Sequence, residues 1–288
     1  MRMYYSMVTR LFLLWLLLVS TAFADEQGLL WHISGKGVDS YIFGTMHSED
    51  PRVTRLPPEV ERHFVAADTL VLEVTLDEKT EMAMAVQMML PPESSLTTLV
   101  GETLSRQAKQ AMQTRGVPPE VTDRLQPWAT VLTLSMPQQQ SGLFLDKVLY
   151  QEALRSGKKF RSLESADEQI AIFTALSLDE QKELLRNVLK DYLSYPLLFE
   201  QMTEAYLSRD LSRLMKISDE NPMTNDPVLQ NKVMTRLLDH RNRRMAARIE
   251  PLLSQGKIFV AIGALHLPGE EGVIALLRQR GFTVDSVY

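Results

Sequence analysis

Tyr41-Ile42-Phe43-Gly44-Thr45-Met46-His47 and Ile258-Phe259-Val260-Ala261-Ile262-Gly263-Ala264-Leu265-His266 carry one pattern at opposite ends of the chain. Each is an apolar, β-branched or aromatic run followed by glycine, a small residue, an apolar residue and histidine. The runs predict strands, and glycine at the exit allows a sharp bend and close backbone approach. Only a fold that joins the two ends of the chain can bring the histidines together. Thr69-Leu70-Val71-Leu72-Glu73-Val74 reads as a further strand, apolar on both faces apart from Glu73, as in sheets covered by helices. Leu29 to Ile33 and Ser40 to Phe43 flank Gly35-Lys36-Gly37 and predict a hairpin.

Between these ends the chain reads as helical, from about 78 to 256, interrupted by a short strand near 159–163. Helices are expected over Thr80 to Leu90, Thr97 to Arg115, Pro119 to Leu134, Phe144 to Ser156 and Asp226 to Leu253. Ser165 with Glu168, and Ser177 with Glu180, have the spacing of capping boxes. The expected fold is α/β: a mixed sheet with strands from both chain ends and a large helical insertion, all in one domain over residues 25–288.

The chain has 288 residues, a formal net charge of −5 and no cysteine. Arg2 and Arg10, an apolar run from Leu11 to Val19 and then Ala22-Phe23-Ala24 read as a cleavable signal peptide, residues 1–24, cut after Ala24. That reading places the mature chain in the periplasm or outside the cell, with no stable membrane anchor. Absence of cysteine excludes disulfides and thiolate metal sites. The acidic balance argues against nucleic acid as a partner, and Arg241-Asn242-Arg243-Arg244 reads as a solvated helix face. His63, on a helix beside Arg62, reads as a surface residue. Met82, Met84, Met88 and Met89 fall on one expected helix and suit adaptable apolar packing or a greasy substrate surface. No His-Glu-x-x-His, Gly-x-Ser-x-Gly, P-loop or dinucleotide fingerprint is present, which removes the commonest hydrolase classes.

Four metal-capable side chains are expected at strand exits: His47, His266, Glu73 and Glu164. Ligand sites in open α/β sheets gather at the carboxyl ends of strands. Two imidazoles and a carboxylate suit a divalent ion with an open position, zinc, manganese or cobalt, and the remaining carboxylate could carry protons. Structural histidines satisfied by hydrogen bonds are the competing reading. Glu73 lies between apolar residues, where a carboxylate needs a partner. Glu164 serves either that chemistry or the local helix cap.

Five blocks in order carry a resemblance to a known family: Tyr41 to His47; Leu72-Glu73; Leu163-Glu164 with Gln169; Arg241-Asn242 with Met245; and Gly263 to Gly272. The chain resembles the TraB/GumN family, which includes the animal Tiki metalloproteases and small bacterial YbaP-type members. The resemblance implies a fold related to erythromycin esterases and haem-binding ChaN proteins. It also implies metal-dependent peptide cleavage, with His47, His266 and Glu73 as metal ligands and Glu73, Glu164 and Arg241 as catalytic candidates, Arg241 stabilising an oxyanion. A peptide or small-molecule substrate is expected. The alternatives are a non-catalytic binder of haem, metal or a small ligand, and an ester or lactone hydrolase on the same scaffold.

Overall fold

The computed structural model describes residues 27–138 and 141–288. The expected signal peptide lies outside the described residues. Six strands form one mixed sheet: β1 (Leu30–Gly35), β2 (Val38–Thr45), β3 (Thr69–Leu72), β4 (Lys159–Ser162), β5 (Ile258–Gly263) and β6 (Thr283–Ser286), in the order β4-β3-β5-β2-β1-β6. β1 and β2 make the expected antiparallel hairpin, with Gly35 opposite Val38. β6 adds to the outer side of β1, also antiparallel.

β2, β5, β3 and β4 run parallel to one another. Thr45 is therefore opposite Gly263, and Leu72 is opposite both Ala261 and Ser162. All four carboxyl ends share one edge of the sheet. Parallel strands need crossovers, and the helices between residues 51 and 253 supply them. β5 is buried over its first five residues, which matches its unbroken apolar sequence. Phe259 packs on Phe43 and Phe64, with ring centroids 6.0 and 5.5 Å away.

Two apolar cores result. One surrounds the sheet and includes Phe43, Leu70, Met245, Ile249 and Phe259. The other is wholly helical and includes Leu96, Met112, Trp128, Leu134 and Leu184. Both expected capping boxes form, Ser165 with Glu168 and Ser177 with Glu180.

Several expected helices are subdivided. Thr97 to Arg115 breaks at Gly101, whose φ of 85° ends Leu96–Val100 and starts Glu102–Gln113. Pro119 to Leu134 becomes Pro119–Thr122 and Pro127–Ser135, because Pro127 opens the second helix and disfavours helical backbone in the residue before it. The long C-terminal helix runs as Pro227–Met234, a π-helical segment Thr235–Asp239, and His240–Leu253. His63 is not a freely solvated residue. Its ring packs 3.9 Å from that of Tyr41, and its side chain is only 13% exposed.

Gly44 shows why the β2 exit needs glycine. A Cβ there would lie 2.9 Å from Leu267 Cδ1 and 3.1 Å from both Cα and Cβ of Ala264. The turn after β5 packs directly on the strand, so the two histidine-bearing exits touch through this glycine. Gly44→Ala is expected to destabilise the protein by about 1–3 kcal/mol through overpacking. Denaturant unfolding checks this; an unchanged midpoint would mean that the exits are not in close contact.

Candidate active site

The shared strand edge gathers the predicted residues. Glu73 follows β3 directly, Glu164 lies two residues beyond β4, and His47 lies two residues beyond β2. His266 closes a 3₁₀ turn, Ala264–His266, after β5. Glu73 Oε1 accepts from the Gly263 N–H at 2.7 Å and lies 3.7 Å from His266 Nε2. A Cβ on Gly263 would stand 3.3 Å from Glu73 Oε1 and 3.4 Å from His266 Cδ2, so this second glycine leaves room for the pair. Glu73 Oε2 accepts from Arg241 Nη2.

Asn242 sets the orientation of the His266 ring. Its Nδ2 donates to the Glu271 carbonyl at 2.8 Å, so its Oδ1, 2.6 Å from His266 Nδ1, faces the ring as acceptor. Nδ1 then carries the proton, and Nε2 turns a lone pair toward Glu73. Burial pushes the His266 imidazole down to about 4, against the pull of Glu73, so it is neutral at pH 7. For Glu73, burial works against ionisation, but His266, Arg241 and the Gly263 N–H outweigh it and hold the carboxyl at about 2. With His266 neutral above about 4, Arg241 is the lasting cation in this group.

Glu164 is fully enclosed and does not line the cavity. Its Oε2 accepts from Arg241 Nε at 2.9 Å, and its Oε1 accepts from Arg244 Nη2 at 2.6 Å. This corrects two expectations. The Arg241–Arg244 stretch is not a solvated face: Arg241 and Asn242 are buried, since Glu73 and Glu164 need cations where water is excluded. Glu164 is placed neither as the helix cap, which Ser165 and Glu168 complete themselves, nor as a proton carrier. It anchors the two guanidinium groups.

His47 takes a different position from the one expected. Its ring stacks on Phe144, with centroids 3.5 Å apart. Although the residue keeps solvent contact, the surrounding protein disfavours imidazolium and lowers its pKa, with Glu73 opposing. Among the described residues, no three His, Asp or Glu side chains stand close enough to hold a metal ion. The set His47, His266 and Glu73 is therefore not gathered as a finished ligand triad. Glu73 and His266 alone fit two ligand positions. Their facing acceptors, 3.7 Å apart, call for a shared cation or proton, and the Asn242 contact is the kind that orients ligating histidines.

Asp146 escaped the sequence reading. It lies in the first turn of the helix Leu145–Arg155, lines the same cavity, and accepts from Thr45 Oγ1 at 2.8 Å. Burial, then the charge on Glu73, raise its carboxyl to about 7 despite the Thr45 bond. No local motif marks it; its signal is only its place after Phe144, the residue that stacks on His47.

The cavity measures about 550 Å³ and lies between the sheet edge and the helical insertion. His47, Glu73, Asp146, Arg241 and His266 line it together with Met84, Met88, Trp128, Met136, Met202 and Met234. Of the expected methionine cluster, Met84 and Met88 line the cavity, whereas Met82 and Met89 are 62% and 39% exposed.

The chain is similar to metalloprotease TIKI2 of Xenopus tropicalis, with 26% identity across 91% of this chain and 60% of the relative. It is similar to the YbaP protein of Shigella flexneri, with 27% identity across 83% of this chain and 88% of the relative. Metalloprotease TIKI1 of Homo sapiens is 23% identical, across 91% and 62%. The chain thus spans about 60% of the length of the TIKI2 relatives. No solved structure matches it. The model of the TraB/PrgY/gumN family matches residues 29–286, and the chain belongs to that family.

Proposed function

We propose that this chain is a periplasmic metal-dependent hydrolase of peptide bonds, on a fold akin to erythromycin esterases and ChaN. The observation that carries the reading is the Glu73–His266 pair: two buried acceptors face one another across 3.7 Å inside a cavity, with Asn242 fixing the imidazole. The metalloprotease names of the TIKI relatives support the reaction class. The signal-peptide pattern of residues 1–24 supports the compartment.

A divalent ion, when bound, supplies Lewis acidity toward a carbonyl and acidifies water. Glu73 Oε1 and His266 Nε2 would hold it, with His47 as the third candidate ligand. Among zinc, manganese and cobalt the donor atoms make no choice. Asp146, poised near neutrality, accepts a proton from the attacking water and returns it to the leaving amine. Thr45 orients that carboxylate. Arg241 keeps Glu73 ionised, and its tie to Glu164 fixes the guanidinium toward the reacting carbonyl. The substrate is a peptide or a small amide. One feature favours a non-catalytic metal or ligand binder instead: Arg241 already neutralises part of the Glu73 charge.

Metal content and peptide hydrolysis compared across wild type, His47→Ala and His266→Ala test the proposal. Each variant is expected to lose bound metal and roughly 10²-fold or more in rate, the scale of one positioned catalytic group. Full metal and full activity in both would remove it. Ester turnover without peptide turnover would move the chain to the esterase class.

Asp146 supplies a second test, in the metal-free chain. Its folded carboxyl, at about 7, lies above the ordinary 3.8, so its stabilising contribution is complete at acid pH and is lost as pH rises through about 7. Asp146→Asn is therefore expected to gain in melting temperature relative to wild type as pH passes from 4 to 8. Parallel melting curves would contradict this.

A further inference from the structure

We infer that the cavity binds a long unbranched acyl chain, with the carbonyl that bears it at the Glu73–His266 end. The inference rests on the hydrolase reading only for the fate of that carbonyl; binding is a separate matter. The ionisable side chains of the cavity gather at the sheet edge, whereas helices of the insertion contribute Met84, Met88, Leu132, Phe173 and Met234 to its lining. Helical backbone has already spent its N–H and C=O groups within its own turns. Part of the amide capacity of the lining is committed as well: Asn221 Nδ2 donates to the Ile217 carbonyl at 2.8 Å, and Gln230 Oε1 accepts from the Met223 N–H at 3.0 Å.

A peptide segment laid along the helical part of that lining, away from the sheet edge, would strand backbone donors and acceptors, each costing roughly fivefold to a hundredfold in affinity. An acyl chain strands none. Methionine suits it for a second reason: an unbranched, polarisable side chain follows a ligand that itself adopts many shapes. A cavity of about 550 Å³ is of the size that encloses such a ligand. Hydrolysis would then split the amide C–N bond. Hydroxide from water goes to the acyl carbon and the remaining proton to the nitrogen, releasing a fatty acid and an amine.

The test is displacement of Nile red from the full mature protein by glycinamides carrying butanoyl, octanoyl, decanoyl or dodecanoyl chains, and by a capped leucyl-methionyl-leucyl tripeptide. Glu73→Gln, measured in parallel, keeps the amides intact. Affinity is expected to tighten roughly fourfold per methylene until the cavity fills. The decanoyl compound is expected to bind about tenfold or more tightly than the tripeptide, whose backbone groups go unpaired. Met84→Glu, a charge placed in the apolar wall, is expected to weaken decanoyl binding about tenfold or more. The length series on unaltered protein decides the question even if that variant does not fold.

Affinity independent of chain length, or a tripeptide that binds as tightly as the decanoyl compound, would overturn the inference. Length-dependent binding without turnover of any amide supports it while removing the hydrolase reading. Turnover of short capped peptides with a flat acyl series does the reverse.

Discussion

One guanidinium organises the sheet edge. Arg241 joins Glu73, at the end of β3, to Glu164, beyond the end of β4, and both carboxylates are largely removed from water. Ion pairs of this kind add little net stability compared with apolar packing, but breaking one leaves a buried charge that costs about 3–5 kcal/mol. The consequence is geometric. Glu73 can face His266 as a fixed carboxylate only because Arg241 holds its other oxygen, and Arg241 is fixed because Glu164, itself held by Arg244, accepts from it from behind. Arg248 extends the row, donating to the Leu163 carbonyl and to Glu168. A polar chain thus runs from the helix His240–Leu253 into the cavity.

The parts of the fold legible in the sequence were those with a local cause. Two strand-like runs on either side of a tight turn marked the β1–β2 hairpin. The repeated strand–glycine–histidine pattern marked two exits, and Gly44 and Gly263 both prove to be sites of close approach. What escaped depends on tertiary context. Arg241 to Arg244 looked like a water-facing stripe because charge alone does not tell which side of a helix meets buried carboxylates. Asp146 has no motif, and its pKa comes from enclosure beside Glu73, which no neighbouring residue encodes. His47 was matched to His266 by pattern, yet the aromatic partner that holds its ring, Phe144, lies nearly a hundred residues away in the sequence.

Family membership constrains architecture more firmly than chemistry. At 22–27% identity to its relatives, the chain has ample room for the same strand edge to serve different reactions. The division of labour in the molecule makes that plain. The strand exits, with the helices Leu145–Arg155 and His240–Leu253, supply the polar constellation, while other helices of the insertion supply much of the apolar lining. Substitutions in that lining can change what enters without disturbing the carboxylate–imidazole pair.

The π-helical segment Thr235–Asp239 sits between two stretches with different allegiances. Leu229 and Val233, before it, belong to the helical core, and Met245, Ala246 and Ile249, after it, belong to the sheet core. Each residue of an ordinary helix advances the azimuth by about 100°, so the wider turn acts as a phase adjuster on a rigid shaft. A π turn holds about one residue more than an α turn for nearly the same rotation, so deleting one residue there would restore an ordinary helix and leave the two cores facing as they do now. A single-residue deletion should accordingly be better tolerated at this point than in the flanking turns, where it would swing one core against the other by about 100°.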